Sequence, residues 1–360
     1  MRRLSSTLLA LLSLPAAAAN VTVPVHDSGG AVSRFLALDL VTGRAYEIEP
    51  RRGGEAARTR PLNQNVYTDI GRPSDPPAIP GEFVLSEIAE TGGRTRGVLL
   101  LETTTGYAAM VSRVGEDNRL GVMRTLTGRP VEALASGDGR YLFLTRRESV
   151  RRGQSGFLVH GTDGGCLYFE GLERTEDDPT VRRCESVAAF EPASNAAPLE
   201  TSSGTINGYF VVDARDGSLL HIGFSAERND RLVVTRSTTS LATVFPDAPA
   251  APSPRFALAS IRSSDDGTVA VLVVDAATGR MAVVTNLDRL TAPRVTLAAA
   301  DLAQVLPRTA LGKPLEALPR DSALDATLGV LIISAGRDLV WITAATAADT
   351  LRAQPVEERN

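Results

Sequence analysis

The sequence has little of nearly every residue that marks a familiar chemistry. Lysine occurs once, at Lys313, and tryptophan once, at Trp341; cysteine occurs at Cys166 and Cys184 alone, and histidine at His26, His160 and His221. Three scattered histidines give no close pair of the kind that binds zinc on one helix face, and no Cys-x-x-Cys supplies a structural zinc centre. The chain also lacks the Gly-x-Ser-x-Gly elbow of a serine nucleophile and the Cys-x-x-Cys-His of haem attachment. No catalytic residue is therefore assigned, and neither a cofactor nor a metal is expected. Apolar runs are short as well: nothing approaches the roughly 18 residues that a membrane helix needs. A basic run is missing too, and a formal charge of −4 at pH 7 argues against nucleic acid as a partner.

The first residues carry a signal of their own. Arg2 and Arg3 precede a short apolar run at 8–14, and Pro15 is followed by four alanines ending at Ala19. That order of positive, apolar and small residues is a secretory signal peptide, residues 1–19, with cleavage expected after Ala19. Its loss takes the formal charge to −6 and leaves one repetitive domain at 20–360. No cysteine adjoins the cut, so no lipid anchor is expected there. The expectation is a monomeric protein without a membrane span, periplasmic or secreted. In such an oxidising compartment Cys166 and Cys184 read as a disulfide, with a stabilisation of roughly 3 kcal/mol from loop closure.

An internal repeat is the strongest positive feature. An acid at the end of an apolar run is followed four residues later by glycine: Asp39 by Gly43, Glu102 by Gly106, Asp213 by Gly217 and Asp275 by Gly279. Looser versions end at Gly164 and Gly336, and the six glycines are 63, 58, 53, 62 and 57 residues apart. A longer period overlies this one. Residues 83–106 align without gaps on 256–279, and Asp39 maps on Asp213, which divides the domain into halves at about 20–190 and 191–360.

Each unit reads as four short strands separated by Gly and Asp turns, as at 132–136, 141–145, 157–160 and 166–170. The gaps are too short for crossover helices, so the sheets must be antiparallel. Four-stranded sheets repeated about an axis make an all-β β-propeller, here of about six blades, with seven or eight as the alternatives. One helix is expected, at 297–306, ended by Pro307. The tail at 350–356 is expected to add a strand to the first blade and close the ring. In the last unit Asp338 aligns with Cys166.

The recurring acids have a structural reading. An Asp at a strand end accepts hydrogen bonds from the N–H groups of the turn that follows, and the glycine supplies the positive φ. The stretches 37–43 and 273–279 resemble repeats of the quinoprotein-like and YVTN-like β-propellers, and 135–144 resembles the inner-strand turn of YVTN and TolB-type repeats. The quinoprotein-like repeats carry a docking tryptophan four residues past the glycine. Here Glu47, Met110, His221 and Val283 hold that place, so no quinone site is implied by the resemblance.

Two charged clusters in the third unit stand out as a binding surface. Arg146, Arg147, Arg151 and Arg152 flank a turn and suit a phosphate, a carboxylate or an acidic partner. Glu170, Glu173, Glu176, Asp177 and Asp178 crowd the loop between the cysteines, with calcium as the alternative to simple solvation. The function expected is therefore that of a binding or scaffolding module in a bacterial envelope, for another envelope protein or a small ligand. The alternative is a lactonase- or esterase-like hydrolase with its site at the propeller axis.

Overall fold

A computed structural model of the protein describes residues 22–28, 31–39, 43–49, 58–65, 83–90, 93–102, 108–114, 119–125, 141–149, 153–161, 166–170, 180–183, 190–224, 232–246, 255–308, 310–313, 315–322, 326–334, 338–343 and 351–355. These residues form six four-stranded sheets, each an antiparallel meander in chain order. Sheet one comprises β1 (Thr22–His26), β2 (Val32–Leu38), β3 (Arg44–Glu49) and β4 (Arg58–Asn65). Sheet two comprises β5 (Phe83–Ala89), β6 (Thr95–Glu102), β7 (Ala108–Val114) and β8 (Leu120–Thr125). Sheet three comprises β9 (Tyr141–Ser149), β10 (Gly153–Gly161), β11 (Cys166–Glu170) and β12 (Thr180–Arg183). Sheet four comprises β13 (Ala197–Glu200), β14 (Ile206–Val212), β15 (Ser218–Phe224) and β16 (Leu232–Ser240). Sheet five comprises β17 (Phe256–Ser263), β18 (Gly267–Asp275), β19 (Arg280–Thr285) and β20 (Arg294–Asp301). Sheet six comprises β21 (Leu315–Ser322), β22 (Ala326–Ser334), β23 (Leu339–Thr343) and β24 (Arg352–Pro355).

The sheets meet in sequence order around a ring. β1 packs on β5 and β6, β5 on β10, and β9 on β14; β13 packs on β17 and β18, β17 on β21 and β22, and β21 on β1 and β2. The first strand of each sheet is thus innermost, and the fold is an all-β propeller. Composition follows this position. Second and third strands, covered on both faces, are almost continuously apolar and buried, as in β18 and β19. Outermost strands such as β16 and β20 alternate with solvent. Pro24, Pro198 and Pro319 sit on innermost strands, opposite Phe35, Tyr209 and Val330. A proline is tolerated there because an inner strand has one edge without a ladder partner.

Several expectations change. The third sheet begins at β9 and ends at β12, one strand later than the division that opened it at 132–136, a segment outside the described residues. The stretch 297–306 is not a helix: β20 runs to Asp301, and a 3-10 turn follows at Leu302–Gln304. Its alanines have helical propensity, but pairing along β19 overrides it. The tail strand β24 pairs with β23 in the last sheet, so the ring closes by sheet six packing against sheet one. The structural counterpart of Cys166 is Leu339: His160 pairs with Cys166, and Ile333 pairs with Leu339.

The registers repeat three sheets apart. Pro24 opposes Phe35 and Pro198 opposes Tyr209, with a bulge after Val25 and after Leu199. Phe83 opposes Glu102 and Phe256 opposes Asp275, with a bulge after Ile88 and after Ile261.

Each seam between sheets is plugged by one residue from the third strand of the preceding sheet. The six are Glu47, Met110, Tyr168, His221, Val283 and Trp341, opposite Leu36, Leu99, Leu158, Phe210, Leu272 and Leu331. Two residues before each of those partners stands Arg34, Gly97, Gly156, Gly208, Ala270 or Gly329. A small residue is used wherever the plug is bulky: a Cβ on Gly208 would come within 2.5 Å of His221 Nε2, and one on Gly329 would collide with the Trp341 ring. A docking tryptophan is therefore present in the last sheet. The spacing rule misses it because it stands five residues past Gly336 rather than four.

Candidate functional site

The meander sorts the connections onto two ends of the ring. Turns from second to third strands, and links between sheets, lie where inner strands begin, the entry end. Turns from first to second and from third to fourth strands lie where inner strands finish, the exit end.

The acidic turns occupy the entry end. Gly43, Gly217 and Gly279 have φ of 69°, 69° and 78°, and each donates its N–H to the carbonyl of the acid four residues earlier. Asp213 and Asp275 are fully buried. Asp213 accepts from the Arg215 backbone at 3.1 Å, from Arg215 Nη2 at 2.7 Å and from Arg236 Nη2 at 2.6 Å. Burial opposes ionisation of Asp213, but the hydrogen bonds from Arg215 and Arg236 outweigh it and hold its pKa at about 2. Asp275 accepts from Arg255 Nε at 2.9 Å and from Thr278 Oγ1 at 2.7 Å. The turn glycines also receive the outer strand's return: Leu241 of the one-turn helix α1 (Leu241–Val244) donates to Gly217, and Leu302 donates to Gly279. Ser240 and Asp301 cap these short helices. Glu102 ends β6, and Gly106 lies outside the described residues. Arg215, Arg236 and Arg255 are thus engaged by the buried acids of these turns.

The exit end carries a different chemistry. At all six inner strands the register with the second strand breaks near this end, after Val25, Ile88, Leu199, Ile261 and Arg320, and between Arg146 and Ser149 in sheet three. Bulges re-aim the residues that follow. The bulge N–H is pinned to a threonine of the next sheet: His26 N to Thr95 Oγ1 at 2.7 Å, Glu200 N to Thr268 Oγ1 at 2.9 Å and Arg262 N to Thr327 Oγ1 at 3.0 Å. Around the first pin, His26 Nδ1 lies 2.7 Å from Glu87 Oε1, and Thr95 Oγ1 donates to the same carboxylate. Around the others, Arg262 Nη1 pairs with Glu200 Oε2 at 3.2 Å, and Ser260 Oγ donates to the Pro198 carbonyl. The ionic groups of this end, half-buried except for the buried Arg262, join one sheet to the next. His26–Glu87 is a contact across 61 residues, which no local pattern announces.

The charged clusters of the third unit leave from the same end. Arg146 and Arg147 lie on β9 opposite Gly156 and Gln154, next to the turn into β10, and Glu170 ends β11 opposite Thr180. Arg151, Arg152, Glu173, Glu176, Asp177 and Asp178 lie outside the described residues. The three histidines do not converge: His26 is on an inner strand of sheet one, His160 on β10 and His221 on β15. His160 stands directly across from Cys166, a neighbour that spacing along the chain hides. Cys166 is buried at the start of β11, and Cys184 lies outside the described residues. Among the described residues no group of three metal-ligating side chains converges, and no helix is long and apolar enough to cross a membrane.

No protein-family model matches the sequence, and no curated protein matches it. Similarity appears in solved structures. A candidate 6-phosphogluconolactonase from Bacteroides uniformis superposes with a TM-score of 0.48 at 13% identity, covering 96% of this chain and 90% of that chain. The BP39L lectin from Burkholderia pseudomallei gives 0.47 at 12%, covering 89% and 83%. AofleA from Arthrobotrys oligospora gives 0.51 at 8%, covering 96% of this chain and 88% of that chain. At such identities the likeness to AofleA is one of fold alone, and it agrees with the propeller built from the strand pairings.

Proposed function

We propose that this protein is an exported binding or scaffolding propeller of the bacterial envelope, which recognises its partner at the exit end of the third sheet. One observation carries the reading. The meander brings the ends of β9 and β11 to the same end of one sheet, and in sequence Arg151 and Arg152 follow the first and the acidic segment follows the second. Arg215, Arg236, Arg255 and Arg262 are held by carboxylates of the protein itself. Charged loops on a rigid sheet are where recognition usually resides, and a surface bearing both signs suits another envelope protein or a small charged ligand.

Export follows from the signal peptide at 1–19, and with it a bridge between Cys166 and Cys184. The register supports that pairing. Leu167 opposes Arg183 on β11 and β12, and Cys166 and Cys184 are the residues just before and just after that pair in sequence. Opposed residues of antiparallel strands have Cα atoms about 4.5–5.5 Å apart, within the span of a disulfide. Such a bridge closes the base of the hairpin that carries the acidic segment.

The test is crosslinking of the tagged, exported protein in cells, followed by co-purification and mass spectrometry. A reproducible partner is expected, lost when Arg146, Arg147, Arg151 and Arg152 are replaced together by alanine. Recovery of the protein alone, or a partner indifferent to that replacement, would count against the reading.

A further inference from the structure

The six seam plugs differ in one respect that packing does not require. Met110, Tyr168, Val283 and Trp341 fill their seams as apolar or aromatic bodies. Glu47 is a buried charge, and it is compensated: Arg34 Nη1 lies 3.1 Å from Oε1 and Arg60 Nη2 2.6 Å from Oε2. His221 is the remaining plug, on the face of β15 that turns with Leu219 toward sheet five. Its ring stands edge-on to Phe210, with centroids 6.0 Å apart, over Gly208 and beside Gly223.

Among the described residues no carboxylate lies beside the His221 ring to answer a positive charge. The neighbouring strand positions are Phe210 and Gly208 on β14 and Thr235 on β16. The core that fills this seam is made of Phe256, Leu258, Val271, Val273, Ala282 and Val284. Among the charged groups of the flanking elements, Arg236 of β16 is held by Asp213 and Asp216, Arg262 of β17 by Glu200, and Asp275 of β18 by Arg255, while Asp288 and Arg289, in the turn whose Leu287 and Leu290 pack on this core, are exposed to solvent. Arg280 on β19 and Arg294 on β20 are cations, and both are exposed.

We propose that His221 is an acid-sensitive plug, whose protonation loosens the seam between sheets four and five. The inference is independent of the partner-binding reading. A neutral imidazole fits the apolar slot; an imidazolium there would be a half-buried cation with no carboxylate beside it among the described residues, which costs more than the neutral ring. Burial accordingly pushes the His221 pKa below its ordinary 6.5. A proton is taken up only when the seam opens, so acid favours the open form. The arginines do not offset this, because exposed charges of the same sign add repulsion. A protein outside the cytoplasm meets the pH of its surroundings, and the plug would make the outer strands of sheet four respond to it.

The experiment is hydrogen exchange of the full mature protein between pH 7.5 and 5, corrected for intrinsic exchange, alongside an NMR titration of the imidazole. Protection of β15 and β16 is expected to fall by up to about tenfold per pH unit below 6.5, as one linked proton requires. His221→Met, which places at this seam the residue found at Met110, is expected to abolish that dependence. An imidazole titrating at or above 6.5, or an unchanged pH dependence in His221→Met, overturns the proposal. The titration of the unaltered protein decides the matter even where the variant folds poorly.

Discussion

The backbone N–H of His26 is bound by Thr95 Oγ1 at 2.7 Å, and the same arrangement recurs three sheets away between Glu200 and Thr268 at 2.9 Å. The two pins occupy equivalent bulges, yet the side chains around them differ. The constant element is a threonine hydroxyl that satisfies a donor left over when the ladder is interrupted. Thr95→Val or Thr268→Val keeps the shape and removes the acceptor. Each is expected to cost about 1–3 kcal/mol, the penalty of an unsatisfied buried N–H. The pins lie in separate seams, so the double variant should show nearly additive losses in urea unfolding.

The glycines beneath the plugs give a second, graded test. Gly208→Ala sets a Cβ 2.6 Å from the Ile222 carbonyl, and at Gly329 the same distance separates it from the Ile342 carbonyl. Backbone cannot step aside as a side chain can, so both changes should destabilise by about 1–3 kcal/mol or more. At Gly312 nothing lies within 4 Å and only the φ of +79° opposes alanine, which should cost about 1 kcal/mol. Thermal unfolding of the three variants is expected to place Gly312→Ala nearest to the parent.

Acid should act on the entry end at a lower pH than on His221. The folded-state pKa of Asp213 is about 2 against an ordinary 3.8, so the unfolded chain takes up the proton first as pH falls. The stability from this carboxylate is complete above its ordinary value and is lost as pH drops from there through about 2. Asp213→Asn keeps the side-chain shape and removes the charge. Its urea midpoint should lie below that of the parent at pH 6, and the two should converge toward pH 2.

The cysteines make a fourth prediction. Native protein exported in its own host should show no reactive thiol until unfolded and reduced. Reduction, or Cys184→Ser, is expected to lower stability by about 2–4 kcal/mol. Two thiols that react in the native, unreduced protein would remove the bridge from the account.

Much of the propeller is legible from its turns. The Asp-to-Gly spacing and the alignment of 83–106 on 256–279 correspond to strand registers that agree down to the bulged residue. Phase is less legible. A hairpin turn marks where second and third strands meet but not which strand opens the sheet, and so a unit opened at 132–136 starts one strand before β9. Propensity misleads where pairing decides, as in the alanines of β20. A fixed offset misleads where a turn is one residue longer, as before Trp341. The exit end was hidden altogether, because His26 with Glu87 and Glu200 with Arg262 are brought together only by the ring.

The central claim is that the exit end of the third sheet binds a partner. The most direct measurement is the Kd of the purified mature protein for the partner recovered by crosslinking, compared with that of Arg146→Glu/Arg147→Glu at matched ionic strength. Reversing two charges at a recognition surface should weaken binding at least tenfold, with a smaller salt dependence, while unfolding and the far-ultraviolet spectrum stay unchanged. An unaltered Kd would show that the partner binds elsewhere on the ring and would contradict the account.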